Sequence, residues 1–352
     1  MRSCSDRQGA KASVALTLIT FLVGLAMWLD RRPNVAADSK WHVVQTLGST
    51  PPFSTTSQYN ATNTTRIPNI LIAGAQKAGT TSIEAYLASH QQVCSPVRFD
   101  DEPPYYTKEV HFFDHIERFS KGLDYYRRRF LHCQDEAFVI DATPNYMLYP
   151  ERVRAMYEQQ GTAETIKIVM SIRNPTSREI SLYNHMARDL LTSENPPSWV
   201  NAIKDEMGHI MTFDEVVEFI LDNPEDNAPK SMYARQLKRW FQVFDRRQIL
   251  LLSFDELKTN QTKFLQRLHD FLELPVSQPL TIPHKNQKGN KQETVMIPVS
   301  CDTQHKMSKV FQPFNADLYA LLEQHPGPRS EQHPFPKFDT NCNPELQVWN
   351  TE

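Results

Sequence analysis

Lys77, Gly79 and the hydroxyl run Thr80-Thr81-Ser82 stand together in Asn69-Ile-Leu-Ile-Ala-Gly74-Ala-Gln-Lys77-Ala78-Gly79-Thr80-Thr81-Ser82, and their types and spacing are those of an anion cradle. An apolar, β-branched run meets a loop with glycines at 74 and 79, and Ser82-Ile-Glu-Ala-Tyr-Leu reads as the first turns of a helix. Strand, small-residue loop and helix together aim backbone N–H groups and a positive helix end at a negative group. In a Walker A loop the lysine follows the second glycine, and a hydroxyl residue binds the magnesium of a nucleoside triphosphate. Here Lys77 precedes Gly79 by two positions. The cradle is kept and the triphosphatase signature is not, which predicts a phosphate site for something other than ATP hydrolysis.

Two further groups carry chemistry. Arg173 follows the apolar run Lys167–Ile172, and Ser181 lies eight residues later in Arg173-Asn-Pro-Thr-Ser-Arg-Glu-Ile-Ser181. A guanidinium grips a phosphate through two N–H groups, and a serine about two helical turns further on offers a hydroxyl to the same group. The alternative for Arg173 is a strand-end arginine paired with a nearby carboxylate. Between the cradle and Arg173 lies Lys108-Glu109-Val-His111-Phe-Phe-Asp114. A carboxylate or imidazole within hydrogen-bond reach of a reacting hydroxyl acts as its base. Glu109 and His111 are two apart, so on an extended segment they face the same way. Glu109 is expected as the base, with His111 and Asp114 orienting it or the acceptor. The structural alternative pairs Glu109 with Lys108 or Arg98 while Phe112 and Phe113 fill the core.

These residues need a scaffold that delivers them to one edge. From Ile67 onward strand and helix patterns alternate, which predicts an α/β fold with a P-loop-like parallel sheet flanked by helices. Strands are expected at 69–73, 138–141, 167–172 and 248–253, and helices at 81–90, 151–160, 177–190, 213–221, 233–244 and 261–272. Ligands of such sheets bind beyond the carboxyl ends of the strands, where Lys77 and Arg173 fall.

The 352 residues suit one large domain with accessory segments. A net charge of −3 argues against a nucleic-acid coat, which is strongly basic. Residues 12–29 carry no charge and are flanked by Arg2, Arg7 and Lys11 before and Asp30-Arg31-Arg32 after. About eighteen apolar residues are near the minimum for a membrane span, and the Met-Trp-Leu ending favours an uncleaved anchor over a signal peptide. Residues 1–11 are then a cytoplasmic tail, 33–66 a Pro/Ser/Thr-rich stem and 67–352 a lumenal domain. Asn60-Ala-Thr62, Asn63-Thr-Thr65 and Asn260-Gln-Thr262 are glycosylation sequons. Cys4 falls on the cytoplasmic side; Cys94, Cys133, Cys301 and Cys342 permit three complete pairings, and the sequence does not choose among them. No Cys/His group has zinc-ligand spacing, so no metal site is expected.

The Gln-Lys-x-Gly-Thr-Thr arrangement at 76–81 resembles the 5'-phosphosulfate loop of sulfotransferases that use 3'-phosphoadenylyl sulfate (PAPS), in the style of the Golgi carbohydrate branch that includes the heparan sulfate enzymes. Arg173 and Ser181 resemble that family's 3'-phosphate motif, and Glu109-Val-His111-Phe-Phe-Asp114 resembles the segment whose glutamate is taken as the base in the 3-O-sulfotransferases. Gly122-Leu-Asp-Tyr-Tyr126, Ser231-Met-Tyr233-Ala-Arg-Gln-Leu-Lys-Arg-Trp240 and Phe311-Gln-Pro-Phe-Asn315-Ala-Asp-Leu-Tyr319 continue the likeness. Lys288-Gly289-Asn290-Lys291 is similar to the loop that closes over the nucleotide, with Asn290 in place of the family's arginine. In Asp141-Ala142-Thr143, Ala142 stands where the heparan sulfate enzymes carry a lysine that reaches the active site, and no neighbour takes over its role. The resemblance implies a Golgi type II membrane enzyme, held through residues 12–29, that transfers a sulfuryl group from PAPS to a glycan hydroxyl or amine. Lys77, the Ala78–Ser82 loop, Arg173, Ser181 and Lys288–Lys291 would bind PAPS or its product, 3'-phosphoadenosine 5'-phosphate (PAP), without metal. The rival readings are a P-loop kinase and a non-catalytic membrane-anchored glycan-binding protein.

Overall fold

The computed structural model describes residues 66–99, 108–133, 136–277, 279–282 and 297–343. The run 12–29, stem residues 33–65 and Lys288, Gly289, Asn290 and Lys291 lie outside the described residues. Among the described residues no helix is long and apolar enough to cross a membrane.

Five strands form one sheet, β1 (Ile70–Gly74), β2 (Val93–Cys94), β3 (Phe138–Asp141), β4 (Lys167–Ile172) and β5 (Ile249–Ser253), in the order β2-β3-β1-β4-β5. Every pairing is parallel, with Leu71 opposite both Asp141 and Ile168, and Val169 opposite Leu250. The strands read as unbroken apolar runs because both faces are covered. Leu71, Ala73, Met170 and Leu251 pack into one core layer, and Ile70, Ile72, Val169 and Leu250 into the other, the period-two alternation of a strand. The first layer holds the aromatic cluster of Phe112, Phe113, Tyr126, Tyr146 and Trp240. The second is closed by α1 (Thr80–Leu87) and α6 (Gln261–Leu272) through Ile83, Leu87, Phe264 and Leu268.

β1 lies at the centre, with β3 and β2 to one side and β4 and β5 to the other. Its carboxyl end is therefore a topological switch point, where the crevice of an open α/β sheet forms. The other helices that matter are α2 (Pro150–Gln159), α3 (Pro175–Thr192), α4 (Phe213–Asp222), α5 (Tyr233–Val243) and α7 (Cys301–Gln324). A third apolar cluster joins α3, α4 and α7 through Ile180, Tyr183, Phe213, Val217, Met307 and Phe311.

The expected strands and helices are present with ends shifted by a few residues. β2 was not foreseen, since two residues show no periodicity. α1 starts at Thr80 and stops at Leu87 rather than running from 81 to 90. The segment around Phe311 lies in a helix of 24 residues, Cys301–Gln324, that contains Pro313. Proline removes a helical hydrogen bond and reads as a stop, but Phe311, Leu318 and Leu322 are buried on either side of it and hold the helix together. The open question of pairing is resolved as Cys94–Cys133 and Cys301–Cys342, with Cα atoms 5.8 and 5.3 Å apart. Such links persist in an oxidising compartment.

Candidate active site

The loop after β1 is shaped by close approach. A Cβ on Gly74 would lie 2.8 Å from Met147 Sδ, and one on Gly79 would lie 2.8 Å from Leu257 Cδ2. Gly79 also has φ +83, which favours glycine. It stands at the N-cap of α1, where no side chain caps the helix and the first turn holds no acid. An end left in that state offers its N–H groups and dipole to an anion. Lys77 itself sits in the left-handed region at φ 71, a conformation costing a non-glycine residue about 1–3 kcal/mol and characteristic of functional loops.

Cations crowd this loop. Arg173, just past β4, donates from Nη1 to the Lys77 carbonyl at 3.2 Å and stacks 4.7 Å from the centre of the Phe254 ring. Its Nε is buried with no hydrogen-bond partner, and no carboxylate among the described residues pairs with it, contrary to the alternative reading of a strand-end ion pair. Lys77 Nζ lies 2.9 Å from His185 Nδ1. Burial first, then the charges of Arg188, Arg173 and Arg178, push the Lys77 pKa down to about 8. Burial and the charge of Lys77 push His185 down to about 4, so its neutral ring accepts the lysine's hydrogen bond. Ser181 is one helical turn before His185 on α3 and shares its face. His185 went unnoticed in the sequence, although its i+4 spacing from Ser181 was there to read.

The second group lies on the segment before β3. His111 is hydrogen-bonded on both sides, Nε2 3.1 Å from Glu109 Oε2 and Nδ1 2.7 Å from Asp114 Oδ2. Glu109 also pairs with Lys108, as the structural alternative has it. The segment is not extended as expected, since His111 has φ 52; the left-handed kink, rather than strand alternation, brings its ring onto Glu109. Burial opposes charge on all three groups, but the mutual bonds win. His111 is raised to about 9, Glu109 is held at about 2 by His111 and Lys108, and Asp114 is lowered by His111. At neutral pH the array is carboxylate, imidazolium, carboxylate.

A buried bracket imposes this geometry. Asp141, at the end of β3, accepts from Thr143 Oγ1 at 2.7 Å and from the hydroxyls of Tyr126 and Tyr146 at 2.9 Å each. Thr143 Oγ1 in turn accepts from the N–H of Val110 at 2.9 Å and of His111 at 3.3 Å, and Tyr146 accepts from the N–H of Phe112 at 2.9 Å. The carbonyls are gripped from the other side by Arg118 on Val110 and Arg152 on Phe113, at 2.6 and 2.8 Å. Burial raises Asp141 to about 6 despite these donors.

Lys230, in the turn before α5, has Nζ 3.1 Å from Gln76 Oε1 and feels the charges of Asp114 and Glu109. Gln76 precedes Lys77 in the cradle. Nothing in the sequence singled Lys230 out. His111, Asp114 and His115 bring possible metal-ligand atoms within 4.8 Å of one another, as do Cys94, His132 and Cys133. In the first group the His111 and Asp114 atoms already bond each other and His111 carries a proton; in the second the two sulfurs are joined.

Tyr146→Phe tests the bracket. It leaves the Phe112 N–H without its acceptor and Asp141 without one donor. Unfolding free energy is expected to fall by about 1–3 kcal/mol, read from denaturant melts at unchanged slope. A loss within error of zero would mean the bracket is not what fixes the segment.

Comparison with known proteins agrees with this geometry. The family described as "Sulfotransferase domain" matches residues 68–311, well over half of the chain. The chain is 24% identical over 217 residues to heparan sulfate glucosamine 3-O-sulfotransferase 5 of Mus musculus, covering 60% of this chain and 54% of that one. It is 24% identical over 219 residues to bifunctional heparan sulfate N-deacetylase/N-sulfotransferase 1 of Caenorhabditis briggsae, covering 59% of this chain and 23% of that one. The chain thus spans about half the length of the first of these curated relatives and less of the second. A sulfotransferase from Alicyclobacillus acidocaldarius superposes with a TM-score of 0.53 at 24% identity, over 73% of this chain and 96% of the other, a likeness of fold. With the family's match spanning the cradle, the Glu109 array and Arg173, the chain belongs to the sulfotransferase domain family.

Proposed function

We propose that this protein transfers a sulfuryl group from PAPS to a hydroxyl or amine of a glycan or polysaccharide. The observation that carries the reading is the meeting, at one edge of the sheet, of a cation-crowded cradle with a bonded carboxylate–imidazolium array. Lys77, desolvated and repelled by Arg188, Arg173 and Arg178, is stabilised as a cation when polyanion charge enters beside it. Lys77 and the N–H groups of residues 78–82 would hold the phosphosulfate, and Arg173 with Ser181 the 3'-phosphate. Lys288, Gly289, Asn290 and Lys291 would close over the nucleotide. The acceptor oxygen bonds to sulfur as the bond from sulfur to the bridging phosphate oxygen breaks; PAP departs and the acceptor proton passes to a base. An imidazolium has no lone pair to receive it, so His111 positions Glu109 and Glu109 takes the proton. A carboxylate held near 2 is a weak base, but an oxygen already bonding to sulfur is a strong acid, so the proton moves late.

The uncharged run 12–29 supports a single-pass type II anchor with a lumenal catalytic domain, and the two disulfides suit the Golgi lumen. The names of the relatives carry heparan sulfate; Ala142, where the heparan sulfate enzymes have an active-site lysine, speaks for an acceptor with a different charge placement.

The full chain incubated with labelled PAPS and a glycan panel is expected to label a glycan, and failure across sulfatable hydroxyls and amines would sink the reading. Glu109→Gln is expected to lower turnover about a hundredfold or more while PAP affinity changes little. If that variant works normally and His111→Ala is dead, the imidazole is the base. Arg173→Ala is expected to weaken PAP by about one to two orders of magnitude, the loss of one charge-assisted contact. Adenosine 5'-phosphosulfate, lacking the 3'-phosphate, should be nearly unaffected; equal losses would make Arg173 structural. The sign of the pH effect follows from Lys77. A bound anion raises its pKa from about 8, so binding takes up a proton above that pH. PAP affinity should be flat below pH 8 and fall as pH rises beyond it, by up to about tenfold per unit. Lys77→Arg, always charged, should flatten the fall; an unchanged slope would assign it to another group.

A further inference from the structure

Lys230 is a half-buried cation for which the mechanism above has no use. It lies in the short turn Pro229–Ser231 that leads into α5. Its Nζ meets only a neutral acceptor, Gln76 Oε1 at 3.1 Å, and among the described residues no carboxylate reaches ion-pair distance. A desolvated ammonium without an anion is unfavourable. The charges that act on it come from both halves of the site. Arg178 repels it, whereas Asp114, Glu179 and Glu109 attract it from beyond contact, and burial first of all brings it down to about 8. Asp114 is bonded by His111 and by Asn145, with its Oδ1 buried, and acts on Lys230 through its charge alone. Glu179 is already engaged by Arg178 and by Ser231 at 2.7 Å, so it is not a waiting partner. An orphan cation tied to the donor cradle through Gln76 thus faces the array that carries the base. The position between donor cradle and base is the one the sulfuryl group crosses.

We propose that Lys230 is a catalytic residue that contacts the sulfuryl oxygens in transit from PAPS to the acceptor. The assignment rests on the sulfuryl-transfer reading of the site. As the acceptor oxygen bonds to sulfur and the bridging phosphate oxygen leaves, the three remaining sulfuryl oxygens keep their negative charge and travel from the Lys77 side toward Glu109. A fixed ammonium between the two stabilises that charge without moving, and Gln76 aims it. The residue comes from an element distant in sequence from both motifs.

PAP and PAPS separate this role from a merely structural one, because only PAPS carries the group that Lys230 is said to touch. In the full chain, Lys230→Gln is expected to weaken PAPS by about tenfold and PAP by less than threefold, and to lower turnover by about a hundredfold or more. Lys230→Arg, which retains charge, should restore most of the preference for PAPS. Gln76→Met should lose part of the same preference, since it frees the lysine. Equal losses for PAP and PAPS would make Lys230 a prop for the cradle and overturn the proposal. Unchanged binding of both with a raised acceptor KM would place it on the acceptor, also overturning it. If Lys230→Gln fails to fold, the preference for PAPS over PAP is read from Gln76→Met, which should lower it, against Lys230→Arg, which should keep most of it. A wild-type chain that binds PAP but transfers no label would count against the proposed function, whereas a wild-type chain that transfers label alongside an equally active Lys230→Gln counts against Lys230 alone.

Discussion

The hydrogen bonds converging on Asp141 are the constraint on which the site depends. One buried carboxylate at the end of β3 receives three hydroxyl groups, and two of those hydroxyls receive the N–H groups of residues 110–112. A buried carboxylate is unfavourable unless its lone pairs are filled, and a buried N–H is unfavourable without an acceptor. Each half of the bracket satisfies the other. The consequence is local and geometrical, because the chain at His111 is forced into a left-handed turn that no β-branched or apolar preference would choose. That turn swings the imidazole onto Glu109 and Asp114. Sheet, bracket and the Glu109–His111–Asp114 array are therefore one connected object, and it explains why an acidic residue ends a strand otherwise packed into the core.

The same logic holds at the cradle. Lys77, too, is left-handed, and a helix end beside it is left uncapped. Strain and unpaired charge are normally removed by packing or solvent. Here the surrounding structure keeps both: Met147 presses on Gly74, Leu257 and Phe254 press on Gly79, and Arg173 holds the Lys77 carbonyl. Packing that leaves no room for relaxation keeps the cradle open for an anion, and His185 gives the lysine a neutral resting partner meanwhile.

Much of this was legible in the sequence, and what was not has physical reasons. Parallel strands covered on both faces announce themselves as apolar runs, so β1, β3, β4 and β5 were readable to within a residue or two, whereas the two-residue β2 carries no period. The cradle was readable because small residues, a lysine and a helix start must be adjacent in the chain to work. Glu109, His111 and Asp114 were readable as candidates, but the reason given for their meeting was wrong: a kink brings them together, and its cause lies in Thr143 and Tyr146, about thirty positions away. The helix through Pro313 shows local preference losing to burial. Lys230 was illegible because a lysine in a turn beside Pro229 is the ordinary solvated case, and only the fold reveals that it is half-buried beside Gln76.

Ala142 and Lys230 bear on how such a site diverges. An active site fixes where charge must be, and many elements of an α/β fold end near the same crevice. The residue after Asp141 cannot itself be large here, since Ala142 is fully buried against Ile70, Ile72 and their neighbours. A charged side chain at 142 would have to leave that layer to reach the site. A lysine on the turn before α5 reaches the cradle without disturbing the sheet, and Gln76 fixes its direction. The two positions differ in what they leave free. Charge delivered from the β3 side comes through the segment that also carries the Asp141 bracket, whereas charge delivered from the α5 side leaves that segment to the bracket and Ala142 to the core.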